Sequence, residues 1–267
     1  LSGVSGLIYE IVWVRQASLT FGVSVYAYST ILAAYMGGMA LGSYLLGRRI
    51  DEISRPLRAY AVLEVGIALL AGISPFVLTE LNGLYAAITR ATHPSLALLT
   101  LLRLSLSVLV LAPPTILIGA TLPAMSRIYA TRPGRIGGDV GWLYAANTVG
   151  AMLGCLLTGI TFIRLLGVLG TVFLGVTINL LVAIGALWLD RTWSPTPAPE
   201  ETPAPRRTRP RRRRPSEPQD RPLSEQAMRY VVIGYGLSGL VALGYEVVWA
   251  RILSIHTLHA IYSHRRE

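Results

Sequence analysis

The chain has 267 residues, 52% of them hydrophobic and only 14% charged, with a mean hydropathy of +0.52. An ordinary soluble domain carries about 25% charged residues, so this balance argues against one. The formal net charge of +10 does not mark an evenly basic surface, because every basic residue is Arg and about half of the excess sits in one segment, while the single Cys155 excludes an intrachain disulfide.

In chain order, the apolar runs predict seven helical spans, several exceeding the roughly 20 residues that cross a bilayer core of about 30 Å. The first runs from Leu1 to about Val14 and is too short to span alone. The others cover Val23 to Leu46, Tyr60 to Leu78, Leu96 to Ile118, Val140 to Phe162, Leu165 to Leu189 and Tyr230 to Ile255. They are apolar nearly all round, as buried or lipid-facing helices are. The chain starts inside what already reads as a helix and shows no cleavable signal, so a natural N-terminus further upstream is expected. Cys155 reads as a small packing residue.

Three connections hold most of the arginines: the one with Arg48, Arg49, Arg55 and Arg58, the one with Arg127, Arg132 and Arg135, and the stretch from Arg191 to Arg221. In an alternating topology they share one side, which the positive-inside rule makes cytoplasmic, together with the N-terminus. Residues 191–226 are rich in Pro and Arg without apolar periodicity and predict a disordered cytoplasmic linker. Its Arg cluster over 206–214 includes the run RRRR, which has a nucleic-acid reading. Beside membrane spans, attraction to anionic lipid headgroups is the better one, and no nucleic-acid partner is expected.

The chain also repeats itself. LSGVSGLIYEIVWVRQASL from Leu1 aligns without a gap with LSGLVALGYEVVWARILSI from Leu237, sharing the Tyr, Glu, Trp and Arg positions. The repeat predicts two similar halves, of which residues 1–190 form six helices and 227–255 the first helix of the second. Residues 256–267 fit no repeat beyond Tyr262, the counterpart of Tyr26, and read as an irregular, truncated tail. Each repeat helix carries a carboxylate, Glu10 or Glu246, and an arginine, Arg15 or Arg251. The two are five residues apart, about 140° round a helix, so they do not form an i,i+4 pair.

A carboxylate inside a span is expensive unless it faces a cavity or a partner. Glu10 and Glu246 are therefore candidate cation ligands. The structural alternative has them bonding polar groups on neighbouring helices while Arg15 and Arg251 reach the headgroups. Tyr9 and Trp13, at i,i+4, are expected to pack together or sit at the interface. Glu64 has two readings, as an interfacial residue near the start of its span or as a substrate-facing carboxylate. Arg103 is a candidate partner for one of these glutamates. Asn147 and Asn179 predict interhelical hydrogen bonds. Gly38 and Gly42, and Gly150 and Gly154, recur every four residues and predict close helix crossings. Pro113 and Pro114 predict a kink or a break in the fourth span.

The stretches SGLIYEIVWVR, STILAAYMGGMALGSYLLGRR, PPTILIGATLP, GWLYAANTVGAMLG and GLSGLVALGYEVVWAR together resemble the membrane part of bacterial fused spermidine synthase-like proteins. The resemblance covers residues 1–190 and about 227–255. It implies an all-α, polytopic helix bundle with a major-facilitator-like half, located in the bacterial inner membrane. In that family the helices precede a cytosolic aminopropyltransferase domain that binds decarboxylated S-adenosylmethionine and a polyamine. Neither a Gly-rich nucleotide loop nor an acidic diamine-binding motif occurs in these 267 residues. No catalytic residue, cofactor or metal ligand carries over, and no enzymatic activity is expected of this chain alone. The function implied is a membrane region handling a cationic substrate such as a polyamine through Glu10, Glu64 and Glu246. The alternatives are a non-transporting anchor for the synthase domain and an inactive truncated product.

Overall fold

A computed structural model describes residues 1–21, 25–50, 52–92, 95–129, 136–192 and 224–263. They form α1 (Ser2–Phe21), α2 (Val25–Ile50), α3 (Pro56–Thr92), α4 (Leu96–Tyr129), α5 (Ile136–Leu157), a π-helical turn (Thr158–Phe162), α6 (Ile163–Thr192) and α7 (Glu225–Ser263). No strand occurs among the described residues. The helix starts follow local chemistry. Pro56, with no N–H to leave unsatisfied, occupies the first position of α3. Ser95 Oγ accepts the Leu98 N–H at 3.4 Å, and Ser224 Oγ accepts the Ala227 N–H at 3.2 Å.

The chain divides into one unit of residues 1–194 and another of residues 195–267. Within the first, α2 lies along α4, α3 packs on α4 and α6, and α1 is held among α2, α5 and α6. Two glycine-lined crossings set these distances. A Cβ on Gly38 would overlap the Thr115 side chain, one on Gly42 the Ile116 carbonyl, and one on Gly119 the Met39 carbonyl. Between α1 and α5, a Cβ on Gly154 would overlap the Val4 carbonyl, and Gly150 lies against Val4. Without side chains in the way, the backbones approach closely, the packing that small residues permit between apolar helices.

The core is apolar and aromatic, with Tyr9, Trp13, Ile31, Tyr35, Ile67 and Leu111 buried, but the outward faces are apolar too. On α3, Tyr60, Glu64, Ile67, Ala71 and Ser74 are buried at alternating spacings of four and three. Val62, Leu69, Ile73 and Phe76 are exposed on the same helix. On α6, Thr171, Gly175, Asn179 and Ala183 point inward while Leu181, Ile184 and Trp188 are exposed. A bundle that buries its few polar side chains and leaves large apolar ones on its outer face suits a solvent of hydrocarbon. Among the described residues, five stretches are long and apolar enough to cross a membrane: Tyr28–Ile50, Pro56–Leu81, Ser105–Tyr129, Gly137–Thr192 and Gln226–Ala250.

Three expectations need correction. First, α4 does not break at Pro113 and Pro114; it runs through them and through Pro123 to Tyr129. Pro113 and Pro114 leave the Leu109 and Val110 carbonyls without their i+4 donors, while one position on, the Thr115 hydroxyl donates back to the Leu111 carbonyl at 2.7 Å and lies 3.2 Å from that of Ala112. Neighbouring helices and hydroxyl side chains commonly sustain proline inside membrane helices in this way. Second, the long stretch Gly137–Thr192 does not divide at residues 163 and 164. It passes through the π-helical turn and changes direction at Gly167, whose φ of 69° is open to glycine without strain. Third, α7 continues to Ser263 through residues expected to be irregular, a stretch that contains no proline. Residues 264–267 and the linker residues 193–223 lie outside the described set. Residues 224–226, the last of the expected linker, already lead into α7.

Candidate functional site

α1 carries the first group of functional side chains. Tyr9 and Trp13 are fully buried, one turn apart, and stack with ring centroids at 5.6 Å. Trp13 also meets Tyr35 of α2 at 6.1 Å, tilted by 60°. Each aromatic spends its polar handle on a different helix. Trp13 Nε1 donates to Ser74 Oγ on α3 at 2.8 Å, and Ser74 donates in turn to the Ala71 carbonyl at 2.7 Å. The Tyr35 hydroxyl donates to the Gly6 carbonyl at 3.0 Å. The Tyr9 hydroxyl donates to Asn179 Oδ1 on α6 at 2.9 Å. Gly175, one turn before Asn179, makes room for the Tyr9 ring, which a Cβ there would contact at 2.8 Å.

Asn179 continues the chain of bonds. Its Nδ2 donates to Glu64 Oε2, so Tyr9, Asn179 and Glu64 link α1, α6 and α3 through one buried polar thread. Glu64 is 0% exposed. Its other oxygen, Oε1, makes no well-formed hydrogen bond, although the hydroxyls of Ser2 and Tyr60 and the positive charge of the Leu1 amino group, which also borders the cavity, lie close enough to act on the carboxyl. Ser2 and Tyr60 also line a cavity of about 150 Å³, together with Thr121, Met125, Leu143 and Asn147. A fully buried carboxylate with an underused oxygen behind a partly polar cavity is equipped to meet a cation or a proton.

The candidate residues are distributed as follows. Glu10 is buried on α1 at 5% exposure, within electrostatic reach of the Tyr35 hydroxyl. Glu64, for which the interfacial reading was open, is deep in the bundle. It falls in step with the inward stripe of α3 rather than with the exposed Arg58 a turn and a half earlier. Glu246 lies on α7, in the other unit, and is exposed there. The side chains of Arg103 on α4 and Arg251 on α7 lie outside the described set. Arg15, Arg48 and Arg49 are exposed, and Arg48 sits 4.4 Å over the Tyr44 ring. Asn147 is exposed, with its backbone against Gly3. No group of three potential metal-ligating side chains occurs among the described residues.

Sequence alone does not single out Ser2 and Tyr60 as hydroxyls beside the carboxylate, nor Ser74 as the partner of Trp13. The signal was present in the spacing of α3: Tyr60, Glu64 and Ser74 share a stripe with Ile67 and Ala71, so all must face the same way.

Comparison with known proteins gives the same direction as the sequence motifs. Over 185 residues, 66% of this chain, it is 31% identical to a Streptomyces coelicolor protein named "Polyamine aminopropyltransferase 2". Over 183 residues, 68% of this chain, it is 27% identical to two Ralstonia nicotianae proteins, "Polyamine aminopropyltransferase 2" and "Polyamine aminopropyltransferase 1". The matched stretch spans 30% to 33% of the length of these relatives. No family model matches the chain, and no solved structure matches it.

Proposed function

We propose that this chain is the membrane-embedded region of a polyamine aminopropyltransferase-like protein, and that its bundle binds a cationic amine at Glu64. The observation that carries the reading is the state of that carboxyl: fully buried, one oxygen held by Asn179 and the other without a well-formed bond. An ionised carboxylate taken out of water is costly unless charge or hydrogen bonds compensate. An ammonium group supplies both, donating hydrogen bonds and opposite charge in a low-dielectric interior. An amine entering the cavity meets the hydroxyls of Ser2 and Tyr60 first and Glu64 Oε1 behind them. The relatives' printed name makes a polyamine the natural amine to test.

The bundle would sit in the inner membrane as a six-helix, major-facilitator-like half followed by the first helix of a second. Its Arg-rich connections and its linker would face the cytoplasm. The test is binding of radiolabelled putrescine to the full-length protein in lipid nanodiscs. Saturable binding that weakens at least about tenfold in Glu64→Gln is expected, a loss of roughly 1.4 kcal/mol. Binding unchanged in that variant rejects the assignment.

A second reading has its own support. Because two thirds or more of each relative lies beyond the matched stretch, the helices also suit a membrane anchor for chemistry carried elsewhere in such a protein. No amine binding or proteoliposome uptake by the full-length protein, together with aminopropyl transfer by it, would favour the anchor.

A further inference from the structure

The turn between α2 and α3 forms one wall of a second cavity, of about 450 Å³, that neither the amine site nor the helix crossings use. Its floor is apolar, made by Leu46, Ile50, Ile53, Val62 and Leu63, and Arg49, Arg55 and Arg58 stand around it. Among the described residues no acidic side chain lines it; Glu52, in the same turn, is exposed, and Asp51 lies outside the described set. Arg58 is held by Asp190 of α6 at 2.5 Å. The local backbone adds to the positive field. The α3 N-terminus opens here at Pro56, while Arg127 of α4 donates to the Ile50 carbonyl and offsets the negative end of α2.

Three guanidiniums around an apolar floor, at the end of two apolar helices, match one ligand class in both charge and shape. The phosphate of a lipid pairs with the arginines while its acyl chain follows exposed Val62 down α3. Arg forms paired hydrogen bonds to phosphate oxygens, and basic pockets between membrane helices recognise anionic headgroups. We propose that this crevice is a specific binding site for an anionic phospholipid. The apolar floor is what separates it from a site for free phosphate, which would gain nothing from Leu46, Ile53 or Val62.

The test uses the intact full-length protein, exchanged into detergent with defined lipids and examined by native mass spectrometry. Phosphatidylglycerol should be retained in preference to phosphatidylcholine. The double variant Arg49→Gln, Arg55→Gln should weaken retention by about thirtyfold, from five- to sixfold for each guanidinium near a lipid surface. Arg15→Gln, at the far end of α1, should leave it unchanged. Val62→Trp, which fills the floor and keeps every charge, should also displace the lipid, and it decides the matter if the double variant does not fold. Equal retention of both lipids overturns the proposal. So does full retention in Val62→Trp, or displacement of the lipid by an equal concentration of glycerol 3-phosphate.

Discussion

Replacing Asn179 with Ala should loosen three helices at once, because that one amide bridges Tyr9 on α1 to Glu64 on α3. The Tyr9 bond is neutral and worth about 1 kcal/mol; the bond to the carboxylate is charge-assisted and worth roughly 1.5 to 3. Interhelical bonds in membranes average less, about 0.6 kcal/mol each, and reach about 1.7 at most. Truncation also strands the Glu64 carboxyl, whose other oxygen already lacks a good partner. The expected loss is therefore about 2 to 4 kcal/mol. Unfolding in mixed detergent and SDS micelles, followed by tryptophan fluorescence, reads it directly, since Trp13 is fully buried beside Tyr9. A double-mutant cycle with Glu64→Gln adds the decisive comparison. Residues in one hydrogen-bond network should show coupling of about 1 kcal/mol or more. A loss below about 0.5 kcal/mol that adds without coupling to the Glu64→Gln effect would mean that the thread does not exist.

Three further outcomes follow from the same contacts. Gly42→Leu would drive a side chain into the Ile116 carbonyl and should cost about 3 kcal/mol or more, or abolish folding, whereas Gly37→Leu, with open space around it, should stay within about 0.5 kcal/mol, both by the same micelle assay. Gly167→Ala places a Cβ on a residue at φ 69° and ψ −179°, a region essentially reserved for glycine, and should cost about 1 to 3 kcal/mol, read as a lowered melting temperature of the solubilised protein. Asp190→Asn removes the exposed pair with Arg58, whose side chain is 51% accessible, and should change the melting free energy by no more than about 1 kcal/mol.

Several features could be read from the chain alone because they depend on local spacing. Tyr9 and Trp13, four apart, stack as their spacing requires. The recurrence of Gly38 and Gly42 corresponds to a backbone crossing at Thr115 and Ile116. Asn179, a polar side chain in an apolar run, makes bonds to two other helices. The depth of Glu64 was harder to read. Its nearness to Arg58 along the chain suggests an interface, and only the stripe it shares with Ile67 and Ala71 places it inside. The prolines of α4 misled for a different reason: their penalty is a property of an isolated helix, and here α4 is packed along α2 and against α3. The π-helical turn at Thr158–Phe162 and the direction change at Gly167 left no distinct pattern, since TGITF and the glycines around it read as ordinary span composition.

The claim beneath all of this is that lipid surrounds the outward face of the bundle while its polar thread stays within. Nitroxide labels attached at Leu69→Cys and Ala71→Cys, on a Cys155→Ser background in phospholipid bilayers, test it most directly. Leu69 is 60% exposed and Ala71 0%. The label at position 69 should be relaxed by dissolved oxygen and protected from a water-soluble nickel chelate, and the label at 71 should be shielded from both. Strong relaxation of the position 69 label by the nickel chelate would place that face in water and contradict the account.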